Sequence, residues 1–160
     1  MAIASTTGAK IYIGPVNNAA NTSTAYAALS YVEIGEVESI GEFGDQASPI
    51  TFTSLGDGRV RKRKGVRDAG DLNIVVANDP RNAGQLAMIA AEATEFTYAF
   101  KIVVADAPDG NDTDSTFYFR ALVSSGRLNV GAANEIVKRT FACLIDSAIV
   151  EVPSQAVSGS

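Results

Sequence analysis

Histidine and tryptophan are absent from this 160-residue sequence, and cysteine occurs once, at Cys143. The lack of histidine removes both the commonest general base and the commonest metal ligand of proteins. A single cysteine excludes an intramolecular disulfide, and its place in phase with Phe141 and Ile145 predicts a buried, unreactive thiol. We therefore expect neither an enzyme nor a protein that holds a metal or cofactor.

Charged residues and long apolar runs are also scarce. Charged residues make up 19% of the sequence, while hydrophobic residues make up 46%, which is enough for a substantial core. No run approaches the ~20 apolar residues that span a membrane, and residues 1–10 lack the basic start and apolar centre of a signal peptide. We expect no membrane partner and one domain at residues 1–152, including an N-terminal arm at 1–8, followed by a flexible tail at 153–160.

The basic residues are concentrated in one segment. The formal net charge is −5, yet six of the 13 basic residues fall between positions 59 and 67. This basic run consists of Arg59, Arg61, Lys62, Arg63, Lys64 and Arg67. An acidic group precedes it and consists of Glu33, Glu36, Glu38 and Glu42. Segments of opposite charge in one chain favour a protein that binds copies of itself, with charge setting the register.

The basic run has three candidate roles: an intersubunit contact, a solvated loop, or a nucleic-acid contact through phosphates. It lacks interleaved aromatic residues for base stacking, and it is a basic island on an acidic body rather than a broad basic face. No apolar residue lies between Arg61 and Gly65. We expect the long loop from Gly44 to Gly70 to have no apolar side and to find its place only against neighbouring copies, which favours the intersubunit contact.

Alternation of apolar and polar residues predicts many short strands. The predicted strands lie at 10–13, 29–34, 36–43, 50–55, 72–76, 96–104, 116–124, 136–145 and 148–152. Val32 and Ile34 are expected on one face of their strand, and Glu36, Glu38 and Glu42 on one side of the next. The sequence Gly56-Asp57-Gly58 predicts a flexible hairpin turn, since Asp-Gly favours positive φ angles.

One helix is predicted. Asp79 and Pro80 are typical of a helix start, because Asp caps free amide groups and Pro fits the first turn. An amphipathic helix is expected from about Pro80 to Ala93, with the apolar positions 86, 89, 90 and 93 at helical spacing and Met88 beside them. Many strands and one helix predict a mainly β fold, a β-sandwich or barrel with one flanking α-helix.

A cluster of aspartates between the later strands suggests calcium. Its members are Asp106, Asp109, Asp112 and Asp114. The central glycine and terminal glutamate of an EF-hand loop are missing. We therefore expect a polar hairpin loop rather than a metal site.

Taken together, four segments resemble the major tail tube proteins of long-tailed, non-contractile bacteriophages and their relatives in gene transfer agents. The segments are 33–40, 50–55, 65–72 and 78–80, the last leading into the helix. The resemblance implies hexameric rings that stack into a hollow tube, which surrounds a tape-measure protein, meets tail tip and terminator proteins, and later conducts DNA without binding it specifically. It also implies a location in the virion tail, after assembly in the host cytoplasm.

The resemblance and the charge pattern lead to two hypotheses. In the first, the chain is a structural tube protein in which the basic run lies at contacts between subunits or rings, facing Glu36, Glu38 and Glu42. Basic side chains in the lumen would attract DNA and hinder its passage, so an acidic or neutral lumen is expected. In the second, the chain is a small nucleic-acid-binding module that uses Arg59 to Arg67.

Overall fold

The computed structural model describes residues 3–156, and this range contains ten strands and two helices. The strands are β1 (Lys10–Val16), β2 (Val32–Glu33), β3 (Val37–Ser39), β4 (Gln46–Thr53), β5 (Val60–Asp68), β6 (Asp71–Ala77), β7 (Tyr98–Val104), β8 (Ser115–Asn129), β9 (Lys138–Ile145) and β10 (Val150–Val152). The helices are α1 (Ser23–Ala27) and α2 (Ala83–Glu92).

Eight strands form one antiparallel sheet in the order β2-β1-β7-β8-β9-β6-β3, with β10 paired to the first part of β8. The two edge strands, β2 and β3, are separated along the chain only by residues 34–36. Three linking residues span at most about 15 Å, so the sheet must curl until its edges approach each other. The predicted mainly β fold of barrel type is thereby confirmed.

The concave face of the curled sheet holds the main core. In β6 the side chains of Leu72, Ile74 and Val76 are fully buried, while those between them point away. Such alternation is the period of a strand with one buried face. The rings of Phe100 and Phe119 stack across β7 and β8 with centroids 5.5 Å apart, which adds aromatic packing to the burial.

Helix α2 covers the seam where the two sheet edges meet. Asn82 is its N-cap: Oδ1 accepts a hydrogen bond from the Gln85 backbone N–H at 3.0 Å and another from the Gly35 N–H at 3.1 Å. The predicted start at Asp79 and Pro80 is wrong, because Asp79 Oδ1 instead accepts from the Arg81 N–H in a preceding turn. Asparagine is as favourable at an N-cap as aspartate. Asn82 also holds the segment between the two edge strands, through its hydrogen bond with Gly35.

Of the apolar residues predicted for helix α2, Met88 faces the core, but the four at helical spacing lie on the outer side of the helix. Gly84, Gln85, Met88 and Ala91 are the buried residues of α2, whereas the apolar positions 86, 89, 90 and 93 are exposed. Both sides of this helix are rich in apolar residues, so periodicity alone does not distinguish them. Gly84 determines which side of the helix faces the sheet, because only a residue without Cβ fits against the Glu33 carbonyl group.

A smaller cluster lies on the opposite face of the sheet, under a second helix that the sequence did not predict. The short helix α1 buries Tyr26, whose ring stacks on Tyr118 with centroids 5.5 Å apart. The Tyr31 hydroxyl donates to the Tyr26 carbonyl oxygen at 2.8 Å. Burial, with the neighbouring Tyr118 and Tyr26, raises the pKa of Tyr31 well above its usual value.

The region before the hairpin is less regular than predicted. Val32 is exposed and Ile34 is buried, so these two side chains do not share an environment. The strand predicted at 36–43 shrinks to β3, which lies between two residues with a left-handed backbone, Glu36 with φ of 57° and Gly41 with φ of 87°. Glu36, Glu38 and Glu42 therefore do not lie along one strand as expected.

The described residues include only part of each chain end. Residues 3–8 of the predicted arm contain no helix or strand. At the other end, the Ser154 hydroxyl and the Gln155 backbone N–H bond to Thr113, and Ala156 forms a bridge to Asp112. The first part of the predicted flexible tail is thus held by hydrogen bonds, and residues 157–160 lie outside the described residues.

Candidate functional site

Strands β4 and β5 form a two-stranded hairpin that is separate from the main sheet. Its turn contains Gly58, with φ of 64°, as the predicted Gly56-Asp57-Gly58 turn requires. The segment 44–49, expected as a loop, is mostly strand, because β4 begins at Gln46. At about 3.4 Å per residue, the eight residues of β4 extend roughly 27 Å. The predicted assembly loop at 44–70 is therefore mainly a β-hairpin.

A bulge bends the hairpin near its base. Pro49 pairs with Lys64 and Ala47 pairs with Arg67, so two residues of β5 lie opposite Ser48. Gly65 is one of these two, and a Cβ placed there would lie 2.8 Å from the Ser48 carbonyl oxygen. The glycine allows the close backbone approach that such a bulge needs.

The hairpin exposes apolar side chains, contrary to the expectation that this segment has no apolar side. The exposed residues are Ile50, Phe52, Leu55, Val60 and Val66. Ile50 and Phe52 lie in the alternating strand predicted at 50–55, whereas Val60 and Val66 lie among the arginines and lysines of the basic run. Large apolar side chains on a surface strand typically mark an interaction site.

The two faces of the hairpin differ in character. On one face Ile50 pairs with Arg63 and Phe52 pairs with Arg61. On the other face Thr51 pairs with Lys62, and Pro49 with Lys64. Directly paired residues of antiparallel strands share a face, so the first face combines large apolar side chains with arginines. We call it the Ile50–Phe52 face.

All six basic residues of the run are exposed on this hairpin. Arg61 Nη2 lies 2.7 Å from Asp57 Oδ2, and Arg67 Nη1 lies 3.8 Å from Asp45 Oδ2. The hydrogen bond from the Arg59 backbone N–H, followed by that from Arg61, lowers the pKa of Asp57. Among the described residues, the other four basic side chains have no carboxylate within 4 Å.

The hairpin segment and the rest of the chain have opposite net charges. Residues 44–70 contain the six basic residues and the acidic Asp45, Asp57 and Asp68, a formal charge of +3. Because the whole chain has −5, the remainder has −8. Charge of opposite sign on two parts of one chain is suited to contacts between copies.

The four glutamates of the acidic group are all exposed but are not brought together on one strand. Glu33 lies on edge strand β2, and Glu42 precedes the hairpin. Glu38 on β3 pairs with Lys138 Nζ at 2.8 Å rather than with any residue of the basic run. Whether these carboxylates meet the basic run of a neighbouring copy stays a prediction.

Part of the main sheet has an uncovered outer face, which sequence reasoning did not identify. Across β6, β9 and β8, Asn73 aligns with Ala142 and Ser125, and Val75 aligns with Thr140. These side chains point away from the buried Leu72, Ile74 and Val76 on alternate positions. The charged residues beside them are Glu38, Asp71, Arg127 and Lys138. Two carboxylates and two basic groups leave this sheet face formally neutral.

Cys143 and the aspartate cluster, which the sequence did not favour as functional sites, have structural surroundings that account for them. Cys143 is fully buried, and burial raises its pKa to about 12. Asp106 Oδ1 accepts from the Ser115 N–H at 2.8 Å, and Asp114 Oδ1 accepts from the Ala107 N–H at 3.0 Å. These aspartates therefore stabilise a loop. Within residues 3–156 no group of three potential metal ligands of the His, Cys, Asp or Glu type occurs, and no helix there is long and apolar enough to cross a membrane.

Comparison with solved structures identifies the fold. The structure is similar to a chain of the anti-feeding prophage baseplate, with a TM-score of 0.66, 12% sequence identity and 99% of each chain covered. It resembles a chain from the sheath/tube terminator of the PVC extracellular contractile injection system, with a TM-score of 0.66 and 12% identity over 90% of this chain and 92% of that one. No protein-family model and no curated protein matches the sequence.

The SPP1 tail tube is a third similar structure, with a TM-score of 0.62 and 12% identity over 93% of this chain and 78% of that one. These likenesses confirm the tail tube fold that the sequence resemblance implied. The three structures belong to a baseplate, a sheath/tube terminator and a tail tube. They include a contractile system, so a non-contractile tail stays a prediction.

Proposed function

We propose that this chain is a structural protein that assembles into hexameric rings, and that these rings stack into the hollow tail tube of a phage or phage-like particle. The observation that carries the proposal is the β4–β5 hairpin. It is separate from the main sheet of a tail tube fold, and all its large apolar side chains are exposed. An isolated two-stranded hairpin is marginally stable in water. Contact with neighbouring copies would cover its apolar side chains and hold its shape.

The charge distribution supports assembly through this hairpin. The hairpin segment has a formal charge of +3 and the rest of the chain −8, so hairpins attract the bodies of other copies. A single exposed ion pair contributes only about 0.2–1 kcal/mol. Such pairs are repeated around a ring and from ring to ring, and they favour one register over others.

The neutral outer face of β6, β9 and β8 is the face we assign to the lumen. It presents small uncharged side chains such as Asn73, Thr140 and Ala142, and the basic Lys138 is paired with Glu38. A wall of unpaired basic groups would bind DNA phosphates with a strongly salt-dependent affinity. A neutral wall lets DNA pass, and the basic run then lies outside the channel.

The proposal also places the chain among other tail components. A hollow tube of this kind surrounds a tape-measure protein during assembly and meets tail tip and terminator proteins at its ends. The protein accordingly assembles in the host cytoplasm and resides in the tail of the mature particle.

Electron microscopy of the purified protein tests this proposal. We expect rings or tubes in concentrated wild-type samples, and we expect Arg61→Glu/Arg63→Glu to remain folded while losing them. The matched control is Lys10→Glu/Arg81→Glu, which makes the same change of net charge at two exposed positions outside the hairpin. Wild-type protein that stays monomeric at every concentration and salt tested would contradict the proposal, as would normal tubes from the Arg61/Arg63 variant.

Nucleic-acid binding is the second candidate function, and one observation favours it. Phe52 is exposed and lies directly across the hairpin from Arg61, which supplies the aromatic group that the basic run itself lacks. Stacking on such a ring contributes to single-strand binding. The test is fluorescence anisotropy of labelled single-stranded DNA at low and high salt. Tight, salt-dependent binding that is lost in the Arg61/Arg63 variant, without any tube formation, would favour this function.

A further inference from the structure

Helix α2 has a second apolar stripe that its own chain leaves exposed. The side chains of Leu86 and Ile89 are 48% and 37% exposed, and Ala90 and Ala93 are exposed beside them. These positions follow the spacing i, i+3, i+4 and i+7, which places them in one line along a helix. The opposite side of α2, with Met88 and Ala91, already fills the contact with the sheet. The outer line, here called the α2 stripe, is thus free to pack against another surface.

The surroundings of the α2 stripe are acidic. Residues 83–96 contain two charged side chains, Glu92 and Glu95, and both are exposed. Phe96, four residues beyond the end of the helix, is also apolar and is 59% exposed. A partner for this surface should therefore present apolar side chains accompanied by basic groups.

The Ile50–Phe52 face of the hairpin has these properties. Its apolar side chains come from β4, and its arginines, Arg61 and Arg63, come from the paired positions of β5. Residues two apart on a strand are about 6.8 Å apart, and residues three or four apart on a helix face are about 5–6 Å apart. Ile50 and Phe52 can therefore sit between successive side chains of the α2 stripe. The hairpin is also the longer element, since β4 spans roughly 27 Å and the ten residues of α2 about 15 Å.

We propose that the Ile50–Phe52 face of one copy docks on the α2 stripe of a second copy, with Arg61 and Arg63 facing Glu92 and Glu95. This inference rests on the proposed function and names the surface that receives the hairpin. The hairpin joins β6 at Asp71, whereas α2 begins beyond Ala77, at the other end of that strand. Two different surfaces are thus joined, and such heterologous contacts generate rings or continuing assemblies rather than closed dimers.

Cysteine cross-linking between two variants tests the contact. Phe52→Cys protein is mixed with Ile89→Cys protein under assembly conditions and oxidised. The native Cys143 does not interfere, because it is fully buried. We expect covalent dimers in the mixture at several times the yield of a matched mixture with Thr53→Cys, since Thr53 lies on the other face of the hairpin. Equal yields from the two mixtures would overturn the inference.

A charge exchange provides the second test. We expect Glu92→Lys/Glu95→Lys protein and Arg61→Glu/Arg63→Glu protein each to lose assembly alone, and the variant with all four substitutions to regain it. Wild-type tubes together with no rescue and no selective cross-link would overturn this inference while leaving the proposed function intact. Absence of rings or tubes from wild-type protein would overturn the proposed function and the inference with it.

Discussion

Gln85 on helix α2 donates a hydrogen bond from Nε2 to the carbonyl oxygen of Gly35 at 3.0 Å. The same amide nitrogen donates to the Ala77 carbonyl oxygen at 2.9 Å, and Oε1 accepts from the Asp79 N–H at 3.0 Å. One buried side chain thus joins the helix, the end of β6 and the turn between the two sheet edges. The segment between the two edge strands is thus held to the helix by this amide rather than by strand pairing.

Replacing Gln85 by leucine should destabilise the protein. The substitution keeps a similar volume but leaves buried backbone groups without partners, and each such group costs about 1–3 kcal/mol. We expect a loss of about 2–4 kcal/mol in the free energy of unfolding, measured by urea denaturation. Gln46→Leu, at an exposed position, is the matched control and should change stability by less than about 0.5 kcal/mol. Equal stability of the two variants would contradict the role of Gln85 at the seam.

Substituting Gly84 by alanine should also destabilise the fold, for a steric reason. A Cβ at this position would overlap the Glu33 carbonyl group and lie 2.6 Å from the Ile34 Cα atom, so the helix must move away from the seam. Overpacking of this kind costs about 1–3 kcal/mol. Gly110→Ala is the control, because a Cβ there meets nothing within 4 Å. Thermal unfolding of the two variants measures the difference, and an unchanged midpoint for Gly84→Ala would refute the close approach.

Alkaline pH should weaken the fold through Cys143. Burial raises its pKa from the ordinary 9.0 to about 12 in the folded state, so between these values the unfolded chain releases a proton that the folded chain keeps. Stability is therefore unaffected by this group below pH 9 and falls as the pH rises towards 12. Cys143→Ala should show a shallower decline over this window in urea denaturation series. A decline of identical slope in both proteins would show that other groups cause it.

Neutralising the carboxylates of the proposed lumen face should make assembled tubes retain DNA. Glu38→Gln/Asp71→Asn leaves Lys138 and Arg127 uncompensated, and repeated unpaired basic groups increase the affinity for phosphates. We expect stronger, salt-sensitive DNA binding by tubes of this variant than by wild-type tubes. Glu151→Gln/Asp109→Asn makes the same change of charge at two exposed positions away from that face and is the control. Equal DNA retention in the two variants would count against the lumen assignment.

The sequence predicted those features of the fold that depend on residues close together along the chain. The strand predicted at 72–76 is β6, and the Gly56–Gly58 turn was found where the Asp-Gly sequence predicted it. The thiol of Cys143 is buried as its phase with Phe141 and Ile145 indicated. In each case a few neighbouring residues specify the backbone geometry or the burial of one strand face.

The predictions were wrong where contacts between residues far apart in the chain determine the structure. The helix buries its Met88 side rather than its Leu86 side because Gly84 meets Glu33 and Gln85 meets Gly35, contacts that no local period encodes. Ile50 and Phe52 lie in the strand predicted at 50–55, but their place opposite Arg63 and Arg61 on one exposed face follows only from the pairing of β4 with β5. Both features lie on the surfaces that we assign to assembly.

The amino-acid sequence by itself determined the β character of this protein, the tight turn of its hairpin and the segregation of its charge, since each depends on residues close together along the chain. Only the tertiary structure decided which helix face is exposed, which hairpin residues share a side and which sheet face is neutral. Those outcomes depend on the register between strands and on close backbone approaches between segments far apart in the chain, which a linear pattern does not specify.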